Sequence, residues 1–228
     1  SYRGALSAEL PHIAFSVSKS FVGLIAASLA HEGVIDVAAP VAKYVPELAA
    51  SAFGDATVRQ VMDMTVGVKY SENYADPKAE VWDHVRAGGV LPRPPGYAGP
   101  KTFYEFLQTV QAEGEHGQAF AYKTVNSDAL GWIIRRVTGK SIGENLQERI
   151  WGKLGAEQDA YFSVDSVGNE FAGGGMNAGL RDMARFGEMM RLEGRYNGQQ
   201  IVPKSVIADI TKGGNRANFA KAGYKTIP

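Results

Sequence analysis

The sequence predicts an α+β chain that is mainly helical with small strand pieces. Three observations carry this reading. Apolar residues recur at helical spacing along most of the chain. Several of those runs close at a glycine, as at Gly33, Gly139 and Gly194. Strand signals are confined to Val66–Tyr70, Ala160–Val164 and two short stretches joined by Asn197-Gly198, a dipeptide that favours a tight hairpin turn.

Taken in order, residues 1–14 read as the end of a strand or a loop entering a helix. That helix runs from Ser16 to Glu32 and stops at Gly33. Pro40 and Pro46 bracket a short helical piece ending at Leu48. Thr57 caps Val58–Met64, where apolar residues again keep helical spacing. Residues 67–99, rich in proline and glycine, read as a long irregular excursion of the kind that carries function. Helices then follow over Thr102–Val110 and Asp128–Thr138. The next covers Ser141–Leu154, with Ile142, Leu146, Ile150, Trp151 and Leu154 inward. Two more span Asp182–Leu192 and Ser205–Thr211, the latter read as the last. There is no internal repeat and no low-complexity tract.

Composition removes several function classes. The chain has 228 residues, 45% of them hydrophobic, enough for a substantial core. Lys plus Arg balances Asp plus Glu at 24 each, without the basic surplus of a general nucleic-acid binder. No cysteine is present, which excludes disulfides, zinc–thiolate sites and a cysteine nucleophile within these residues. The longest apolar run, Phe21–Ala30, is too short to span a bilayer. The histidines at 12, 31, 84 and 116 have no metal-ligand spacing, and His84, beside Asp83, reads as a surface residue of the long loop. No metal or cofactor is expected.

Ser16 and Lys19 carry the first chemical signal. Residues three apart on a helix share a face, so a hydroxyl and an amine stand side by side where the helix begins. A serine hydroxyl becomes a useful nucleophile only beside a base. A lysine serves as that base when its pKa falls, and burial lowers it. The apolar run after Lys19 supplies such a setting, and the helix dipole favours negative charge developing at its start. The same tetrad also fits an N-cap serine with a solvated lysine one turn on. Tyr122, just ahead of the helix near Asp128, could relay a proton beside Lys19. Asn126 could orient a substrate carbonyl or a lysine ammonium. Alternatively these are a half-buried aromatic and a helix N-cap. Gly173-Gly174-Gly175 permits positive φ or close approach of backbone to a ligand, or forms a plain turn entering the next helix.

In this order, Ser16-Val17-Ser18-Lys19, the Thr57–Gly67 segment, Tyr122 before Leu130-Gly131-Trp132-Ile133, and Gly173-Gly174-Gly175-Met176 before Arg181-Asp182 resemble the serine β-lactamase-related hydrolases. These include class C β-lactamases, D-amino-acid peptidases and related esterases. Tyr44-Val45-Pro46-Glu47-Leu48, Tyr70-Ser71-Glu72-Asn73-Tyr74 and Asp76-Pro77 bring the 6-aminohexanoate-dimer hydrolases closest.

The resemblance implies a serine β-lactamase/transpeptidase-like fold. Here the chain is mostly the helical part, with most strands of the antiparallel sheet outside it. It implies one domain over 1–228, incomplete at both ends, with a helical subdomain near 50–160. Ser16 would be the acylated nucleophile and would supply one oxyanion N–H, Lys19 the base, and Tyr122 the proton carrier. Tyr74, Asn126, Gly174 and Gly175 would contact substrate, a small amide or ester. A homodimer is compatible with the sequence, no nucleic-acid or membrane-span partner is expected, and the cytoplasm is favoured as compartment. Two positions depart from the family. Thr124 stands where Tyr-x-Asn requires an amide, and Val85 stands where some relatives carry an acidic residue. The family's third motif, a Lys-Thr-Gly or His-x-Gly strand after the second helical region, is not found within these residues. A non-catalytic peptide or cell-wall binding module on the same scaffold is the competing reading, with D-peptidase and β-lactamase activities as others within the hydrolase class.

Overall fold

The computed structural model describes residues 7–222. Its centre is helix α1, Ser18–His31. Phe21, Val22, Leu24, Ile25, Ala26 and Leu29 are all buried, so the helix is apolar around most of its circumference. A helix of that kind is stable only when other elements surround it. The surrounding elements are α5 (Val125–Thr138), α6 (Ile142–Arg149) and α8 (Lys204–Lys212). Phe21 stacks on Phe186 at 3.9 Å between ring centroids, and Phe186 belongs to α7, Leu180–Arg191.

Local chemistry sets the other boundaries. Thr57 and Gln60 form a reciprocal capping box at the start of α2, Val58–Met62. Ser141 and Glu144 do the same for α6. Thr102 accepts from the Glu105 N–H and opens α4, Phe103–Thr109. Gly139 ends α5 in the left-handed region at φ 66°. The amphipathic run after Ser141 is bent. Ile150 leaves helical geometry and a 3₁₀ turn over Trp151–Lys153 follows, with all five expected inward residues buried.

Two helices lie beyond the sequence reading. Helix α3, Glu80–Ala87, sits inside the segment expected to be irregular. Helix α9, Arg216–Lys221, follows α8 and is capped by the Asn215 side chain. The strands are short. β1 (His12–Ile13), β2 (Tyr161–Phe162) and β3 (Met176–Ala178) form an antiparallel sheet in the order β1-β3-β2. His12 pairs with Ala178, and Phe162 with Met176. Val66–Tyr70 contributes only an isolated bridge, Val68 to Ala112, in place of the expected strand. Asn197 and Gly198 both have positive φ and turn β4 (Arg195–Tyr196) into β5 (Gln199–Gln200), as the dipeptide predicts. Residues 1–6, part of the expected entering strand or loop, lie outside the described residues. Among the described residues no helix is long and apolar enough to cross a membrane.

Helix α5 is the second hub. Gly131 lets it approach the segment before β3, because a Cβ there would stand 2.8 Å from the Ala172 Cβ and 2.9 Å from Ile142 Cδ1. That close approach places the first turn of α5 against Gly173.

Two stability predictions follow from this packing. Thr57→Ala removes an N-cap acceptor and should lower the urea-unfolding free energy by about 1 kcal/mol. Gly131→Val should cost about 1–3 kcal/mol through overpacking against Ala172 and Ile142. Equal denaturation midpoints for wild type and either variant would contradict the corresponding packing argument.

Candidate active site

Ser16 sits in a 3₁₀ turn, Phe15–Val17, that feeds directly into α1. Phe15 has φ 45°, unusual for a residue with a side chain, and its ring is largely exposed. The turn is anchored from both sides. The Ala14 N–H donates to the Met176 carbonyl at 2.7 Å, and the Met176 N–H donates to Ser18 Oγ at 3.0 Å. Strand β3 thus clamps the residues on either side of Ser16, leaving the Ser16 side chain exposed.

Lys19 lies one turn further on and is half-buried. Its Nζ donates to Ser16 Oγ at 3.1 Å and to the Gly173 carbonyl at 2.6 Å. It also lies 5.0 Å from the centroid of the Tyr122 ring. Ser16, Lys19 and Tyr122 are therefore brought together from residues more than a hundred positions apart in sequence. A carbonyl accepts from an amine in either protonation state, so Gly173 can hold Nζ in place while a proton moves.

Burial, the Glu72 carboxylate and the Tyr122 phenol, in that order, raise the Tyr74 phenol above its ordinary pKa. Tyr74 is 62% exposed, packs edge-on against Trp82, and its hydroxyl donates to Glu72 Oε2 at 3.4 Å. The other Glu72 oxygen accepts the Thr124 N–H. Lys123 Nζ donates to the Val68 carbonyl, and burial lowers the Lys123 pKa. The 68–74 segment thereby grips residues 122–124, and Tyr74 projects from the same segment.

The remaining expected site residues have different surroundings. Asn126 is 1% exposed in the first turn of α5. Its Nδ2 donates to the Lys123 carbonyl at 3.1 Å, and its Oδ1 has no hydrogen-bond partner among the described residues. Gly174 and Gly175 are buried, and their close approach is to Phe171. A Cβ would meet the Phe171 ring at 2.9 Å from Gly174, and the Phe171 Cβ and carbonyl at 2.8 Å from Gly175. The glycine that reaches Lys19 is Gly173. Thr124 is buried, and its methyl packs against Gly173, where a Cβ would come within 2.3 Å of it.

His84 is not a surface residue. It is fully buried in α3 within a ring of Tyr70, Phe103, Phe106 and Phe171, because Val81, His84 and Ala87 form the inward stripe of that helix. His84 Nε2 stands 3.0 Å from Asp128 Oδ2. Sequence spacing alone could have found the stripe, since 81, 84 and 87 are three apart. Among the described residues no group of three or more His, Asp or Glu is placed to hold a metal ion. A hollow of about 320 Å³ reaches Lys19 from the α2 and α8 side. Its walls include Leu24, Met62 and Met190 but neither Ser16 nor Tyr122, so it is not where an acyl group on Ser16 would lie.

Comparison with known proteins identifies the family and the fold. The family described as Beta-lactamase matches residues 3–225. The 6-aminohexanoate-dimer hydrolase of Paenarthrobacter ureafaciens is 40% identical over 223 residues, covering 98% of this chain and 56% of that protein. A solved structure from Bacillus anthracis, provisionally named a 6-aminohexanoate-dimer hydrolase, superposes with a TM-score of 0.85 at 41% identity. That match covers 92% of this chain and 55% of the other. A D-stereospecific amidohydrolase from Streptomyces shares the fold at a TM-score of 0.67 and 22% identity, covering 92% of this chain and 67% of its own. The chain spans little more than half the length of the first two relatives. Its fold is the serine β-lactamase/transpeptidase type, represented mainly by helices, and the chain belongs to the β-lactamase family.

Proposed function

We propose that the protein is a serine hydrolase that cleaves a small amide or ester through an acyl-enzyme. The observation that carries this reading is the Lys19 amine held between Ser16 Oγ and the Gly173 carbonyl, with Tyr122 alongside. In this scheme Lys19 Nζ takes the Ser16 proton as Oγ bonds to the substrate carbonyl carbon. The Ser16 N–H supplies one oxyanion donor. Tyr122 passes a proton to the leaving nitrogen or oxygen as its bond to carbon breaks. Water then attacks the Ser16 ester, gives up a proton through the same groups, and releases the acid.

The substrate class we favour is a linear amide of the aminohexanoate type or a carboxylic ester. Similarity to the Paenarthrobacter enzyme supports the first, and Tyr74 beside Tyr122 provides a hydroxyl near the leaving-group side. Val85, half-buried in α3, offers no charge to a substrate ammonium, which favours the ester. Asn126, Gly174 and Gly175 remain candidates for substrate contact only through rearrangement of the packing described above.

Two predictions test this. A fluorophosphonate probe should label the full-length protein at one site. Ser16→Ala should abolish the adduct, and Lys19→Ala should slow labelling by on the order of 100-fold or more. Labelling that persists in Ser16→Ala would sink the proposal. In a panel of p-nitrophenyl esters, 6-aminohexanoate dimer and nitrocefin, turnover should be highest on the esters or the dimer. Acylation without product release would instead favour a binding role, and preferential nitrocefin turnover would favour a β-lactamase.

A further inference from the structure

We propose that His84 and Asp128 are positioning residues for Lys19, acting through Gly173. The inference rests on the reading of Lys19 as the base of the reaction. A continuous path of polar contacts supports it. Asp128 Oδ1 accepts the Gly173 N–H at 3.0 Å, and the Gly173 carbonyl accepts from Lys19 Nζ at 2.6 Å. Asp128 Oδ2 faces His84 Nε2 at 3.0 Å, although the N–H line falls short of a good hydrogen bond. On its other side His84 Nδ1 lies 2.9 Å from the Tyr70 hydroxyl.

The protons on this path follow from burial. Tyr70 is 4% exposed, and burial drives its phenol far above the ordinary range, so it keeps its proton and can donate to Nδ1. The hydrogen on His84 then lies on Nε2, facing Asp128. The other tautomer would set a nitrogen lone pair against a carboxylate oxygen. The polar partners set the ring orientation, since a 180° flip of His84 would turn ring carbons toward both the Tyr70 hydroxyl and Asp128 Oδ2.

A buried histidine–carboxylate pair is costly to fold around unless it gains something specific. With His84 and Asp128 at 0% and 1% exposure, neither can be exchanging with solvent for its partners. What the pair secures is the backbone at Gly173. That residue has no side chain of its own to be packed, and a Cβ there would strike the Thr124 methyl at 2.3 Å. Its orientation therefore depends on the bond to Asp128, and that orientation aims its carbonyl at Lys19.

The test is the rate of fluorophosphonate labelling in the full-length protein, read beside the final stoichiometry. Stoichiometry counts sites that are folded and competent, whereas the rate per site reports how well Ser16 and Lys19 are placed. Asp128→Ala removes the acceptor for Gly173. It should lower the rate on the order of 10- to 100-fold, because misplacement by about 1 Å costs that much. Asp128→Asn keeps an acceptor for the Gly173 N–H but turns its amide NH2 toward the His84 Nε2–H, and should restore the rate only in part. His84→Phe fits the aromatic surroundings but releases Asp128, and should slow labelling to a similar degree, with His84→Gln partly restoring it. A wild-type rate per site in either Asp128→Ala or His84→Phe, even at reduced stoichiometry, assigns the pair a structural role only and overturns the proposal. If Asp128→Ala yields no folded protein, the His84 pair of variants decides. Failure of the underlying reading looks different, since the wild type would then go unlabelled or Ser16→Ala would still react.

Discussion

Lys19 occupies a position that helix electrostatics disfavour. It lies in the first turn of α1, where unpaired N–H groups and the dipole present positive charge. That penalty is typically about 0.3–1 kcal/mol for a cation. The Gly173 carbonyl accepts a hydrogen bond from Nζ at 2.6 Å, and the Tyr122 ring centroid lies 5.0 Å away. Nζ is thereby held toward Gly173 and Ser16, where the helix start favours its neutral amine over the ammonium. The glycine turn, the start of α5 and the short sheet all serve to present that one carbonyl.

The presentation demands unusual backbone density. Phe171 stacks on Phe103 at 4.9 Å, and its carbonyl accepts from the N–H groups of both Gly174 and Gly175. The chain then enters β3, where Met176 ties back to Ala14 and Ser18 on either side of Ser16. One short stretch, 171–176, thus contacts the flanks of Ser16, the Lys19 amine and Asp128 at the head of α5. A run of glycines fits because three sets of neighbours crowd it, including the Thr124 methyl, the Phe171 ring and the Ala172 approach to α5.

Much of this was legible in sequence because it is local. The apolar run after Ser16, the Thr57 cap and the Asn197-Gly198 turn each depend on residues a few positions apart, and each appears where expected. The grouping of Ser16, Lys19 and Tyr122 was reached through the order of motifs rather than through any one spacing. What was not legible depends on distant partners. The prolines and glycines around it masked helix α3 despite the helical spacing of Val81, His84 and Ala87, and nothing local shows that an acid meets the histidine. That acid, Asp128, reads in sequence as an ordinary first-turn carboxylate. Likewise nothing local separates Gly173 from Gly174 and Gly175. Only the direction of its carbonyl does so, and folding sets that direction.

The Thr124 departure from the family pattern can be understood in the same terms. A side-chain amide at 124 would be a polar group on the catalytic side of the tyrosine segment. Threonine presents a methyl to Gly173, and its N–H goes to Glu72. The 68–74 segment contributes to placing Tyr122, through Glu72 on Thr124 and Val68 on Lys123. Tyr74 extends from that same segment and touches Glu72 as well. A displacement of Glu72 would therefore shift both tyrosines together. Under the proposed mechanism, substrate contact at Tyr74 and proton transfer at Tyr122 are mechanically linked through one carboxylate.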